Sequence, residues 1–300
     1  MIIAVASGKG GTGKTTIAVN MAFCLPPPVM LLDCDVEEPN CAIFLKPVIR
    51  KAESCSLPAP VIDQAACNAC GECSRICQYN AIVVLKQSAL AFPELCHGCG
   101  GCSKICPTGA ITEGERVIGV IEFGASRIME FVQGRLDVGQ PLSPPLIRAV
   151  KRHIAPEGVT IIDCPPGTSC PVITAVRGSD FVVLVTEPTP FGLHDLKLAV
   201  ETMRTLGLHF GVVINRADVG DANAAEYCHY EQIPVLLELR DDRRVAVAYS
   251  KGQLVVEAVP ELRPAFERLC RKIPDLWHLR EANVAVGENG AAEHRRAWPI

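Results

Sequence analysis

Ile2-Ile3-Ala4-Val5-Ala6-Ser7-Gly8-Lys9-Gly10-Gly11-Thr12-Gly13-Lys14-Thr15-Thr16 decides how the rest of the chain is read. Residues 2–6 form a short apolar run of the kind that makes a buried strand. The run enters a loop that fits G-x-x-x-x-G-K-[ST] from Gly8 to Thr15. Residues 15–25 then read as a helix, with Ile17, Val19, Met21, Ala22 and Leu25 at its apolar positions. Strand, glycine-rich loop and helix together make a P-loop. Glycines at 8, 10, 11 and 13 let consecutive N–H groups converge on a phosphate, and the helix adds its positive N-terminal end. Lys14 is placed to reach the β- and γ-phosphates and Thr15 to ligate magnesium. The expected nucleotide contacts are therefore Gly8, Gly10, Gly11, Thr12, Gly13, Lys14, Thr15 and Thr16, and the expected ligand is ATP with Mg2+.

Lys9 puts a second lysine early in the loop. The form Lys9-Gly10-Gly11-Thr12-Gly13-Lys14-Thr15-Thr16 resembles the deviant P-loop of the MinD/ParA/Mrp ATPases. That resemblance implies that Lys9 crosses a dimer interface and contacts the nucleotide of the second subunit. It also implies that Lys9 and Lys14 act together in hydrolysis.

Other strands carry matching chemistry. Val29-Met30-Leu31-Leu32-Asp33-Cys34-Asp35 reads as a second buried strand ending in two aspartates, and α/β sheets bind ligands beyond such ends. By the same resemblance Asp33 lies in the magnesium shell and Asp35 orients the attacking water. A pair of aspartates that caps the next helix is the alternative. Val159–Asp163 is an apolar strand ending at the Walker B position, where a carboxylate holds magnesium, directly or through water. The following Pro165-Pro166-Gly167 again resembles these ATPases. Residues 181–188 and 211–216 read as two more strands, with a helix over about 193–206 between them. The resemblance makes Asn215 and Arg216 base contacts, and makes residues 233–241, with Pro234 and Arg240, a loop closing over the base.

The sixteen cysteines are the second feature. In a secreted protein they would suggest disulfides, whereas beside a nucleotide loop they point to metal or redox chemistry. Eight fall into Cys67-x-x-Cys70-x-x-Cys73-x-x-x-Cys77 and Cys96-x-x-Cys99-x-x-Cys102-x-x-x-Cys106-Pro107. This is an internal duplication, since Ala81-Ile82 follows the first run as Ala110-Ile111 follows the second. Two-residue gaps, several filled by glycine, let a tight loop aim successive thiolates at one centre. Zinc is the alternative, although its structural sites usually pair two C-x-x-C arms across a longer gap. The runs resemble the bacterial two-cluster ferredoxin. That implies one 4Fe–4S cluster on Cys67, Cys70, Cys73 and Cys106, and a second on Cys96, Cys99, Cys102 and Cys77. Cys77 lacks the proline that usually follows, which leaves its turn geometry open; His97 reads as a polar neighbour.

Three hundred residues allow about two domains. The expected fold is α/β, a doubly wound, mostly parallel sheet of the P-loop type with a small α+β ferredoxin-like insert. Residues 1–55 and 115–280 would form the discontinuous ATPase domain, 56–114 the insert and 281–300 a flexible tail, with a linker over about 53–60. A net charge of −4 and the lack of a long basic run give no footprint for nucleic acid. No apolar stretch approaches the roughly 18 residues of a membrane span, and the start lacks a charged leader, so a cytoplasmic protein without membrane insertion is expected. Three functions fit. The first couples ATP-dependent dimerisation, with itself or a related ATPase, to electron transfer with a protein partner. The second is an iron–sulfur carrier, although Cys164, Cys170, Cys228 and Cys270 contain no C-x-x-C. The third is a positioning ATPase whose clusters stabilise a partner-binding module.

Overall fold

A computed structural model describes residues 1–127 and 129–288. β1 (Ile2–Ala6) leads through the glycine loop into α1 (Lys14–Cys24). β2 (Val29–Asp33) ends at the aspartate pair and is followed by α2 (Cys41–Leu45). The chain then runs out along β3 (Val48–Ile62) and builds α3 (Glu72–Ile76), the hairpin β4 (Ile82–Leu85) and β5 (Ser88–Ala91), and α4 (Gly101–Ile105). It returns along β6 (Ile111–Ser126) to β7 (Met129–Leu136) and α5 (Pro144–Lys151). Alternation then takes over: β8 (Val159–Asp163), α6 (Cys170–Val176), β9 (Phe181–Thr186), α7 (Pro190–Thr205), β10 (Phe210–Asn215), α8 (Asn223–Tyr230) and β11 (Val235–Leu239). Helices α9 (Arg243–Ser250), α10 (Val255–Ala258) and α11 (Arg263–Glu288) close the described chain.

Nine strands form one sheet in the order β11-β10-β9-β1-β8-β2-β7-β6-β3. The seven from β11 to β7 are parallel, and β6 runs antiparallel to both β7 and β3. The sheet is doubly wound. Ile3 and Val5 of β1 face one core with α1, α2 and α11, while Ala4 and Ala6 face a second core with α5, α6 and α7. Strands covered on both faces need apolar residues at every position, which is why these segments show no alternation in sequence.

The excursion between β3 and β6 corrects the expected linker. Residues 53–60 lie inside β3, a continuous strand paired with β6 from Val48–Ala125 to Ile62–Ile111. Pro58 and Pro60 are tolerated there because β3 is the edge strand of the sheet and owes no N–H to an outer neighbour. β7 covers only Gly119–Ser126 of β6. The outer half of β6 and its partner therefore project past Leu136, at the edge where the parallel strands end. At roughly 3.3 Å per residue this arm reaches about 25 Å beyond that edge. Its tip carries residues 63–110 and a small core of its own, built on Cys73, Ile82, Ala89 and Ile111.

Two further expectations are revised. Residues 235–239 form the edge strand β11 rather than a loop. The last helix runs through Glu288, past the expected start of the tail at residue 281, and the rest of that tail, residues 289–300, lies outside the described chain. Among the described residues no helix is long and apolar enough to cross a membrane.

Candidate functional site

The glycine loop joins β1 to α1 at the centre of the sheet, between β8 and β9. Gly13, the residue that opens α1, has φ 94°, and a Cβ there would lie 2.6 Å from Asn215 Nδ2. At Gly8 a Cβ would meet the Asp195 carbonyl oxygen at 2.3 Å. These two glycines are required by close approach, whereas Gly10 has open space around it. No side chain caps α1, so its first-turn N–H groups are free to hold an anion. Thr12 is buried with its hydroxyl unpaired, a second donor without a protein partner. Lys14 is buried beside them. This donor set fits the phosphates of a nucleotide.

The acidic side of the site comes from adjacent strands. Asp33 and Asp163 are register neighbours on β2 and β8, and both are fully buried. Thr15 Oγ1 donates to Asp163 Oδ2 at 2.6 Å. Asp33 Oδ2 accepts from the backbone N–H groups of Asn40 (3.0 Å) and Cys41 (2.9 Å), and Oδ1 from that of Asp35 (3.2 Å). Asp33 thus organises the start of α2. Burial raises the Asp33 carboxyl, and the charge of Asp163 raises it further. Burial raises Asp163 too, against the pull of Lys14 and the Thr15 hydroxyl. Asp163 Oδ1 is buried with no partner. Crowded carboxylates with a spare oxygen next to a threonine hydroxyl suit a divalent cation such as Mg2+.

Burial, opposed by Lys14 and reinforced by Asp163, pushes Asp35 up to about 7. The folded chain therefore keeps a proton that an unfolded aspartate loses near pH 3.9. Between those values the folded state binds more protons, so this group costs stability as pH rises through that window. Asp35→Asn removes the charge. In nucleotide-free protein with a chelator, its Tm should exceed the wild-type value near pH 8 and converge with it near pH 5. An equal gap at both pH values would show that burial of Asp35 charge is not the cause.

Asn215, at the end of β10, donates from Nδ2 to the Thr12 carbonyl at 2.9 Å, and its Oδ1 accepts from Arg216 N at 3.1 Å. It braces the loop from below. Arg216 reaches Glu187 (2.9 Å) and Asp241 (3.6 Å). Lys9 Nζ lies 3.5 Å from the other oxygen of Glu187. Glu187 thus holds both cations within one chain, a role that sequence reading missed. Its signal in the sequence is a charged residue just past Thr186, at the end of an otherwise apolar strand. Arg240 is exposed at the same edge. Pro234 is not at the site. It precedes β11, and its carbonyl accepts from Val212 N at the opposite edge of the sheet, in a cleft lined also by His209 and Tyr230. The Walker B loop does reach the P-loop, since Gly167 N donates to the Ser7 carbonyl at 2.9 Å.

At the tip of the arm the eight cysteines gather around two cavities. Cys67, Cys70, Cys73 and Cys106 line one, and Cys77, Cys96, Cys99 and Cys102 line the other. Each cavity takes its fourth thiol from the other run. The two runs share one backbone path: Ala69 and Gly98 both have positive φ (53° and 67°), as do Gly71 and Gly100, then Asn80 and Gly109. The missing proline after Cys77 changes nothing here, because Asn80 N returns to the Cys77 carbonyl as Gly109 N does to that of Cys106. Backbone N–H groups approach the sulfurs, Ala81 N to Cys77 and Gly98 N to Cys96, each at 3.3 Å. The second cavity lies nearer the sheet, since Pro58 and Glu113 of the arm line it. His97 also lines it, its ring stacked on Tyr79 with centroids 3.4 Å apart. Arg116 donates to the Cys96 carbonyl at 2.9 Å and also to Gln140, just beyond β7.

A doubly wound sheet with a glycine loop between its central strand and helix, flanked by buried aspartates on neighbouring strands, defines a P-loop nucleotide-binding protein. The model of the CobQ/CobB/MinD/ParA nucleotide binding domain matches residues 3–255, and the chain belongs to that family. Its fold is the one seen in MinD-type nucleotide-binding proteins. An uncharacterized protein of Methanocaldococcus jannaschii is 32% identical over 227 residues, covering 74% of this chain and 80% of the relative. An iron-sulfur cluster carrier protein of Aquifex aeolicus is 25% identical over 279 residues, 87% of this chain and 63% of the relative. Among solved structures, the septum site-determining protein MinD of Pyrococcus horikoshii, complexed with Mg-ADP, aligns with TM-score 0.56 at 19% identity. That alignment covers 91% of this chain and 95% of the other, and it supports the fold.

Proposed function

We propose that the chain is an iron–sulfur ATPase in which the nucleotide site governs electron transfer between two 4Fe–4S clusters and a protein partner. The observation that carries this reading is the pair of four-thiol cavities, raised on a two-stranded arm from the same sheet edge as the P-loop. All-thiol donor sets with amide N–H groups aimed at the sulfurs suit 4Fe–4S clusters, which supply one-electron redox chemistry when bound. Lys14, Thr12 and the first-turn N–H groups of α1 would hold the phosphates; Thr15, Asp33 and Asp163 would hold magnesium, directly or through water. Asp35 would orient the attacking water and take its proton. Asn215 and Arg216 would border the base.

Lys9 would leave Glu187 and cross to the second subunit once that subunit presents a nucleotide. Lys9→Ala should then bind nucleotide normally yet fail to dimerise with Mg-ATP. Glu187→Gln, which loosens the hold on Lys9, should dimerise at lower nucleotide concentration. Sedimentation velocity checks both, and normal ATP-dependent dimers of Lys9→Ala would end the cross-subunit role. A route between the two sites is available. Arg116 joins the Cys96 carbonyl to Gln140, and β7 meets the segment after Asp35 through Leu136 N to the Val36 carbonyl at 2.8 Å.

A second reading, delivery of an iron–sulfur cluster to other proteins, draws on the similarity to the Aquifex aeolicus carrier. Anaerobic reconstitution followed by incubation with an apo-ferredoxin separates the two. Clusters that stay with the chain while exchanging electrons favour the first reading, and rapid transfer of iron and sulfide to the acceptor favours the second. Loading of zinc without sulfide would defeat both.

A further inference from the structure

Beside Thr15, three buried side chains of different chemistry meet: Asp33, Cys41 and Asp163, with ligand-type atoms all within 4.8 Å of one another. None of the three has measurable exposure. Cys41 Sγ lies 3.3 Å from Asp163 Oδ2, the oxygen that also accepts from Thr15. The backbone of Cys41 is pinned by Asp33 Oδ2, so its thiol is held at the carboxylates by the first turn of α2. Asp163 Oδ1 is buried in the same place without any partner.

Magnesium takes oxygen ligands and has no use for sulfur. A thiolate beside two carboxylates is instead a set for a borderline cation, and with one water it completes the four-coordinate shell that zinc prefers. We propose that Asp33, Cys41 and Asp163 form a binding site for a borderline divalent cation, represented by Zn2+, in the nucleotide-free chain. On binding, the Cys41 thiol gives its proton to solvent and the sulfur joins the metal; no electron moves. An ion held by Asp163 takes that carboxylate from Thr15 and from magnesium, so the site acts as a brake that a thiophilic cation applies to nucleotide turnover. The inference goes beyond the redox reading and rests on it only in that the arm cysteines hold iron and sulfide, because occupancy is measured without nucleotide.

The test uses the full chain with its arm cysteines loaded with iron and sulfide, titrated with Zn2+ alone and examined by zinc X-ray absorption. The expected result is about one tightly held zinc per chain with one sulfur among oxygen or nitrogen neighbours. In Cys41→Ser the sulfur should leave the shell and affinity should fall at least about tenfold. The zinc concentration that half-inhibits Mg-ATP turnover, relative to each protein's own uninhibited rate, should rise by a similar factor. A wild-type zinc shell made only of sulfur would place the metal on the arm and overturn the proposal, even if Cys41→Ser proved unstable. Unchanged zinc affinity in folded Cys41→Ser would overturn it as well.

Discussion

Lys14→Ala is expected to reduce turnover of Mg-ATP at least about a hundredfold and to weaken nucleotide binding beyond calorimetric detection. A preorganised cation on transferring phosphates typically contributes two to three orders of magnitude. Here the cation is buried, and it is also the group that eases the charge of Asp35 and Asp163. Removing it leaves the loop with N–H donors only and leaves the carboxylates facing the phosphates without compensation. Circular dichroism should stay near wild type, because β1 buries apolar residues in both cores and α1 in one of them independently of Lys14. Phosphate release and calorimetry decide the matter. Binding within threefold of wild type would mean that Lys14 is not the phosphate lysine.

The second large effect separates the two cavities. Cys77 lies with the second run of cysteines and Cys106 with the first. Cys77→Ala and Cys96→Ala should therefore lose the same cluster, each falling from about eight irons per chain to about four. Cys106→Ala and Cys67→Ala should lose the other. Electron paramagnetic resonance of the reduced proteins would sort the four variants into those pairs. If Cys77→Ala instead matched Cys67→Ala, the crossed arrangement would be wrong and each run would hold its own metal. Clusters bound in this crossed arrangement would tie the beginning of the excursion to its end.

Much of this was legible in the residues because the relevant signals are local. A loop that needs glycine at a left-handed residue such as Gly13, and a duplicated cysteine spacing, are properties of a few neighbouring residues, and the sequence displays them. Buried strands were equally plain, for parallel strands covered on both faces are apolar throughout. The misses are all non-local. Residues 53–60 carry prolines and small residues and read as a linker, yet an edge strand accepts both, and only the pairing with β6 reveals it. The resemblance puts Pro234 in a loop over the base, but β11 runs parallel to β10, so a residue before it falls at the far end of the strands. Glu187 and Cys41 have no motif at all. They enter the site because β9 lies beside β1 and because α2 folds back onto Asp33. The helix through Glu288 carries alanines and charges at Ala282, Ala285 and Glu288, a composition shared by helices and tails alike.

One measurement bears most directly on the coupling of nucleotide to redox chemistry. The reconstituted chain is titrated anaerobically to obtain the cluster reduction potentials with and without Mg-ATP, in wild type and in Lys14→Ala. Mg-ATP is expected to shift at least one potential in wild type by about 30 mV or more, roughly a threefold change in a one-electron equilibrium. The shift should vanish in Lys14→Ala. Potentials that are the same with and without nucleotide in wild type would contradict it.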